Sequence, residues 1–174
     1  MALSLKQKKT CSNNSTANLV RGGKEYFDLL EKLIEEATHT IHLQVYIFDA
    51  DETGQRVATA LKNAAAKKVS VHLMADGYAS QSLPKVFIRE LESAGIQFRF
   101  FDPLLKSRHF YFGRRLHHKV LVVDNRHALV AGINISNRYN DIGETAAWLD
   151  FGLYAAGGIA QQLQNRCLQV WEGF

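Results

Sequence analysis

The segment Leu116-His117-His118-Lys119-Val120-Leu121-Val122-Val123-Asp124 sets an imidazole and an ammonium two positions apart. Alternate side chains of an extended strand leave the same face, so His117 and Lys119 are expected to project together and His118 to the other side. Such a pair suits chemistry at phosphorus. The imidazole attacks or protonates, and the ammonium neutralises phosphate oxygens as charge builds on them. Asp124, at odd spacing from both, is placed at the strand end. Further along stand Gly132, Asn134 and Ser136. A glycine lets backbone approach a ligand, and an amide at alternate spacing can donate to another phosphate oxygen.

The charge distribution agrees with an anion site. The chain of 174 residues carries a net +4, and no acidic residue lies between Asp102 and Asp124, where Lys106, Arg108, Arg114, Arg115 and Lys119 all fall. The length fits one core, and 47% hydrophobic with 22% charged residues excludes wholesale disorder. No run of about 18 apolar residues is present, and Met1 to Thr10 lacks the apolar centre of a secretory signal, so neither a membrane span nor export is expected. Cys11 and Cys167 lie far apart without metal or redox spacing, which fits a reducing compartment. No metal and no cofactor are assigned.

The elements that must hold these groups follow from periodicity. Residues 1 to about 20 are polar and aperiodic and read as a flexible basic leader, with one domain over 21–174. Tyr26, Phe27, Leu30, Leu33, Ile34 and Ala37 follow helical spacing. Residues 40 to 48 alternate as a strand, with His42, Gln44 and Tyr46 on a polar face that either lines the site or is hydrated. Thr53 is the expected cap of a helix to about Lys67, followed by a strand from Val69 to Ala75. Pro84 opens a helix closed by Gly95, and Ile96, Phe98 and Phe100 alternate as another strand. Strands at about 116 to 123, 127 to 132 and 147 to 154 come next. A last helix has Ile159, Leu163, Cys167, Val170 and Trp171 on its core side. Strands alternating with helices imply an α/β domain, a mixed central sheet with helices on both faces.

The arrangement resembles the phospholipase D superfamily, whose signature is His-x-Lys, four residues, Asp, six residues, two small residues, x, Asn. His117, Lys119, Asp124, Ala131, Gly132 and Asn134 occupy those places, and roughly one in 10⁴ chains of this composition would match by chance. Ala131 departs from the glycine usual there. The stretches Gln44-Val45-Tyr46-Ile47-Phe48, Phe100-Phe101-Asp102-Pro103, Arg114-Arg115-Leu116-His117 and Gly132-Ile133-Asn134-Ile135-Ser136 are similar to the N-terminal half of bacterial cardiolipin synthases. The likeness runs from near Leu19 to Trp171.

The resemblance implies a metal-independent phosphatidyl transfer through a phosphohistidine, with a phospholipid such as phosphatidylglycerol as substrate. It implies His117 as nucleophile or general acid, and Lys119, Gly132, Asn134 and Ser136 around the phosphate. Asp150 in Trp148-Leu149-Asp150-Phe151 is the expected orienter of the imidazole. For Asp124 the reading stays open between the chemistry and a turn at Asp124-Asn125. Two imidazoles are required, one deprotonated and one protonated, and this chain holds one motif. A second half-domain or a second copy is therefore the expected partner. The implied location is cytoplasmic and peripheral to the inner membrane, with the basic aromatic segment Lys106 to Arg115 a candidate contact for lipid. The rivals are a homodimeric phosphodiesterase cutting nucleic acid, and a non-catalytic half-domain that binds anionic lipid or nucleic acid. His39, His42, His72, His109 and His127 lack metal spacing and read as ordinary polar residues.

Overall fold

A computed structural model describes residues 15–101 and 115–173. Seven strands form one mixed sheet in the order β1-β7-β6-β5-β2-β3-β4. They are β1 (Thr16–Arg21), β2 (Thr40–Val45), β3 (Ser70–Asp76), β4 (Gln97–Phe101), β5 (Val120–Val123), β6 (His127–Ala131) and β7 (Phe151–Ala156). The helices are α1 (Lys24–Glu35), α2 (Glu52–Ala66), α3 (Lys85–Ser93) and α4 (Gly158–Glu172). β2, β3 and β4 run parallel, whereas β5 opposes β2 and each strand from β5 through β6 and β7 to β1 opposes its neighbour. The α/β fold with helices on both faces is present.

Strand alternation divides the core. Ile41, Leu43, Val45, Leu73, Leu121 and Leu129 face α1, α2 and α3, where Phe27, Ile34, Leu61 and Leu91 meet them. Each such side chain, taken wholly out of water, stabilises the fold by about 1.5–3 kcal/mol. Val120, Val122 and Ala128 face the other way, onto Ala160 and Cys167 of α4.

Several expectations need correction. Residues 16–20, assigned to the leader, form with Arg21 an edge strand of the sheet; only Val20 of β1 is buried, so no apolar alternation marks it. The N-cap of α2 is Asp51, whose carboxylate accepts from the Gly54 N–H at 3.0 Å. Thr53 is already inside the helix, buried, its hydroxyl accepting from Asn140 Nδ2. Ile159 of α4 is 40% exposed and the buried set is Ala160, Gln164, Cys167 and Trp171, so the helix is rolled from the expected register. The polar face of β2 is not hydrated: His42 and Gln44 are buried, and Gln44 donates to the Cys167 carbonyl of α4. His42 is buried and His72 half-buried, and their rings stack with centroids 4.3 Å apart. The segment Lys106 to Arg114, the greater part of the expected lipid contact, and His109 lie outside the described residues.

Candidate active site

The antiparallel run of β5 against β2 and β6 brings the end of β2, the start of β5, the end of β6 and the start of β7 to one side of the sheet. There the chain places Tyr46, His117 with Lys119, Gly132 and Asp150. The ladder of β5 begins only at Val120, so the two motif residues precede the strand rather than lying within it. Their common side survives. The His117 ring lies 5.0 Å from the Tyr46 ring centroid, and the Lys119 ammonium lies 5.0 Å from the same centroid. His117 is exposed, Lys119 is buried, and the ammonium also donates to the His117 carbonyl at 3.2 Å.

Burial pulls the Lys119 pKa below the usual lysine value, and the Asp150 carboxylate partly opposes that by favouring the charged form. Asp150 lies against the Cα of Gly132, where an added Cβ would stand 2.5 Å from Oδ2. Glycine is needed at that position for the carboxylate. Asp150 Oδ1 accepts from the Phe151 N–H at 2.7 Å, and among the described residues no hydrogen bond joins it to His117. Its position thus relates it to Lys119 first. Ala131, the departure from the motif, is a β6 residue whose N–H donates to the Lys119 carbonyl; its methyl does not interrupt that bond.

The structure sets Asp124 apart from the His117 and Lys119 pair. It sits at the opposite end of β5, with backbone φ of 50°, and its carboxylate accepts from the Thr38, His39 and Thr40 N–H groups and the Thr38 hydroxyl, each at 2.8 Å. Desolvation raises its pKa, but these donors together outweigh it and hold the carboxyl below its ordinary value. Asp124 ties the turn after β5 to the entry of β2. His118 faces away from His117, as alternation requires, and its Nδ1 pairs with Gln44 Oε1 at 3.2 Å.

Asn134 and Ser136 lie near this end but are committed to the fold. Asn134 is buried, its Oδ1 accepting from the Ile47 N–H and its Nδ2 donating to the Tyr139 hydroxyl. That leaves one amide hydrogen for a ligand. Ser136 is buried, and its hydroxyl accepts a long bond from Arg138 Nε at 3.4 Å. The loop is sewn to the start of α2: Asp51 accepts from the Asn137 N–H and Asn137 accepts from the Thr53 N–H.

Asp76 escaped the sequence reading. It ends β3, is fully buried, and accepts from the Tyr78 and Ala79 N–H groups on one oxygen and from the Leu116 N–H at 2.7 Å on the other. Arg115 lies over the Tyr78 ring at 4.8 Å. The residue before His117 is therefore fixed from β3, a contact of sequence separation 40. An Asp-Gly pair after a strand was the available signal, and it reads equally well as an ordinary turn. Among the described residues no group of three or more His, Cys, Asp or Glu side chains is gathered to hold a metal.

Comparison with known proteins agrees with the fold. The family model described as the PLD-like domain of cardiolipin synthase matches residues 30–171. Cardiolipin synthase B of Salmonella typhimurium (strain LT2) is 39% identical over 149 residues, covering 83% of this chain and 36% of that protein. The chain thus spans about a third of the length of the curated relatives it matches. Among solved structures, Nuc from Salmonella typhimurium, a phospholipase D family member, superposes with a TM-score of 0.67 at 17% identity, covering 91% of this chain and 95% of that one. Phosphatidylserine synthase of Haemophilus influenzae gives 0.72 at 18% identity, over 88% of this chain and 36% of the other. A side chain pair at one strand mouth, an α/β sheet of matching course and the match over 30–171 lead to one assignment: the chain belongs to the family of PLD-like domains of cardiolipin synthase.

Proposed function

We propose that this chain is a phosphatidyltransferase half-site acting on a phospholipid such as phosphatidylglycerol. The observation that carries it is the exposed His117 ring backed by the buried Lys119 ammonium, both against Tyr46. The imidazole nitrogen of His117 attacks phosphorus, the bond from phosphorus to the departing alkoxide breaks, and a histidine of a second motif supplies that alkoxide with a proton. An alcohol then loses its proton to the second histidine and attacks, and the phosphorus–nitrogen bond breaks. Lys119 neutralises the phosphate oxygens, and the free Asn134 amide hydrogen, Ser136 and the backbone near Gly132 complete the cradle. Asp150 favours the charged form of Lys119 through both steps. The second motif comes from another half-domain or another copy, and a membrane-held substrate puts the protein at the cytoplasmic face of the inner membrane.

A second reading is a homodimeric phosphodiesterase cutting nucleic acid. It is favoured by the superposition on 95% of the Nuc chain, in which a single domain of this kind is nearly the whole chain. The test is acid quenching during turnover of phosphatidylglycerol labelled in the phosphatidyl group. Label on His117, lost in His117→Ala together with exchange, is the expected result. Nuclease activity with no lipid exchange, in protein supplied with a second motif, would replace the transferase by the phosphodiesterase.

A further inference from the structure

α4 covers its side of the sheet only in part. Val120 and Ala128 are buried with Ala160 and Cys167 of α4, whereas Leu153 and its β1 partner Leu19, on the same side, are 44% and 70% exposed. Pairing fixes the side: Val120 stands opposite Val130, Val130 opposite Leu153 and Leu153 opposite Leu19, and directly paired residues point the same way. Phe151, two residues before Leu153 and 47% exposed, extends the strip toward one end of the strands. Ile159, 40% exposed, extends it toward the other, held beside the start of β1 by its N–H, which donates to Ser15 Oγ at 3.3 Å. Large apolar side chains thus line an open strip along β7 and β1, next to α4.

The helix beside the strip differs in chemistry from α1. The exposed residues of α1 are ions: Lys24, Glu25, Asp28, Lys32 and Glu35. Those of α4 after Ile159 are mostly amides, Gln161, Gln162, Asn165 and Gln169, with Arg166 among them and Glu172 at the end. That cation is itself engaged locally, Arg166 Nη1 donating to Gln169 Oε1 at 3.0 Å. Depletion of charge beside exposed hydrocarbon marks the centre of a protein interface. An amide both donates and accepts, so a row of amides can meet its own copy across a two-fold axis, where a lone ion would meet its like. Membrane hydrocarbon would leave the amides unpaired, and a nucleic acid calls for a row of cations where this face offers amides and apolar side chains. A protein surface of the same character fits best.

We propose that the strip on β7 and β1, together with the amide face of α4, is the surface on which a second copy of this chain seats about a two-fold axis. The apolar side chains supply the area removed from water, and the amides of the two α4 helices supply the polar pairing. The surface is argued without reference to the substrate, and it serves the transferase and the phosphodiesterase readings alike, since both require a second motif.

The test is sedimentation of the full chain over a concentration series, where a concentration-dependent dimer is expected. Leu19→Glu and Leu153→Glu each set a charge in the strip, and Asn165→Glu sets one on the amide face. Each is expected to raise the dissociation constant at least tenfold, with the thermal midpoint read alongside to confirm folding. Val86→Glu, at an exposed position of α3 across the sheet, should leave the constant unchanged. p-Benzoylphenylalanine in place of Leu19, irradiated in a mixture of isotopically light and heavy chains, should give light-to-heavy adducts within residues 151–173. A chain that stays monomeric up to about 100 μM would overturn the proposal. So would dimers undiminished in every folded variant, or adducts confined to other peptides. Binding of a monomer to phosphatidylglycerol vesicles, abolished by Leu19→Glu and Leu153→Glu, would equally overturn it by making the strip a lipid surface. Phosphohistidine is assayed in the same samples. A dimer without it removes the transferase reading and leaves the interface, and phosphohistidine in a chain that stays monomeric removes the interface alone.

Discussion

The Tyr46 ring is shared by the two groups to which the proposed chemistry is assigned, the His117 imidazole and the Lys119 ammonium. A partly desolvated cation over such a face gains about 1–2 kcal/mol. Removing the ring leaves a buried ammonium whose pKa burial already depresses, with Asp150 alone opposing the fall. Tyr46→Leu is expected to lower kcat about tenfold, the equivalent of about 1.4 kcal/mol, and to move the alkaline limb of the kcat/KM profile to lower pH as Lys119 deprotonates earlier. Tyr46→Phe keeps the ring and should restore both. A pH series on lipid exchange checks this, and an unmoved alkaline limb in Tyr46→Leu would reduce Tyr46 to packing. At the same scale, Gly132 and Asp150 form a matched pair, because only a residue without Cβ leaves the carboxylate its place.

Among the elements, β3 does more than fill the sheet, because its last residue holds the start of the motif. Asp76→Asn keeps one acceptor but loses the charge that serves three N–H groups. The expected cost is about 2–3 kcal/mol in urea unfolding, with a fall in kcat of about tenfold or more as His117 drifts and with KM little changed. A kcat equal to that of the parent chain would separate Asp76 from the site. This contact also shows where sequence reasoning stops. His117 with Lys119, and the alternation of β2, β3 and β4, were legible because they are local periodicities. The pinning of Leu116 by Asp76 was not, being a meeting of distant segments. Nor was β1 legible, since an outer strand with one buried residue carries no apolar rhythm. The roll of α4 was misread because Leu163 and Val170, though apolar, border a cavity and are not in the sealed core. Gln44 was left between lining the site and being hydrated, because nothing local announces that a helix more than a hundred residues later will cover it.

For the molecule as a whole, α4 packs on a sheet face that includes an unusual pair of rings. His42 and His72 stack 4.3 Å apart, with the edge of Trp171 against His72 and Arg99 over Trp171. Burial, and secondarily the neighbouring His72, lowers the His42 pKa to about 4. The unfolded chain takes up a proton near pH 6.5, while the folded chain refuses it until about pH 4, so stability is full above that window and falls as pH drops through it. The loss is on the order of 3 kcal/mol. Urea unfolding at neutral pH and at pH 4.5 should show it, and His42→Phe should flatten the dependence; an equal slope in that variant would assign the acid sensitivity elsewhere.

The pairing of Gln44 with His118 has a last consequence for how the sheet closes. The chain offers two adjacent histidines, and sliding β5 by a single step along β2 would exchange their faces, presenting His118 to the substrate and turning Lys119 toward hydrocarbon. In the aligned arrangement the amide of Gln44, itself anchored on the Cys167 carbonyl, pairs with His118 and the Lys119 ammonium stays against Tyr46. α4, through Gln44, thereby bears on strand alignment and on which of two identical rings stands beside Tyr46.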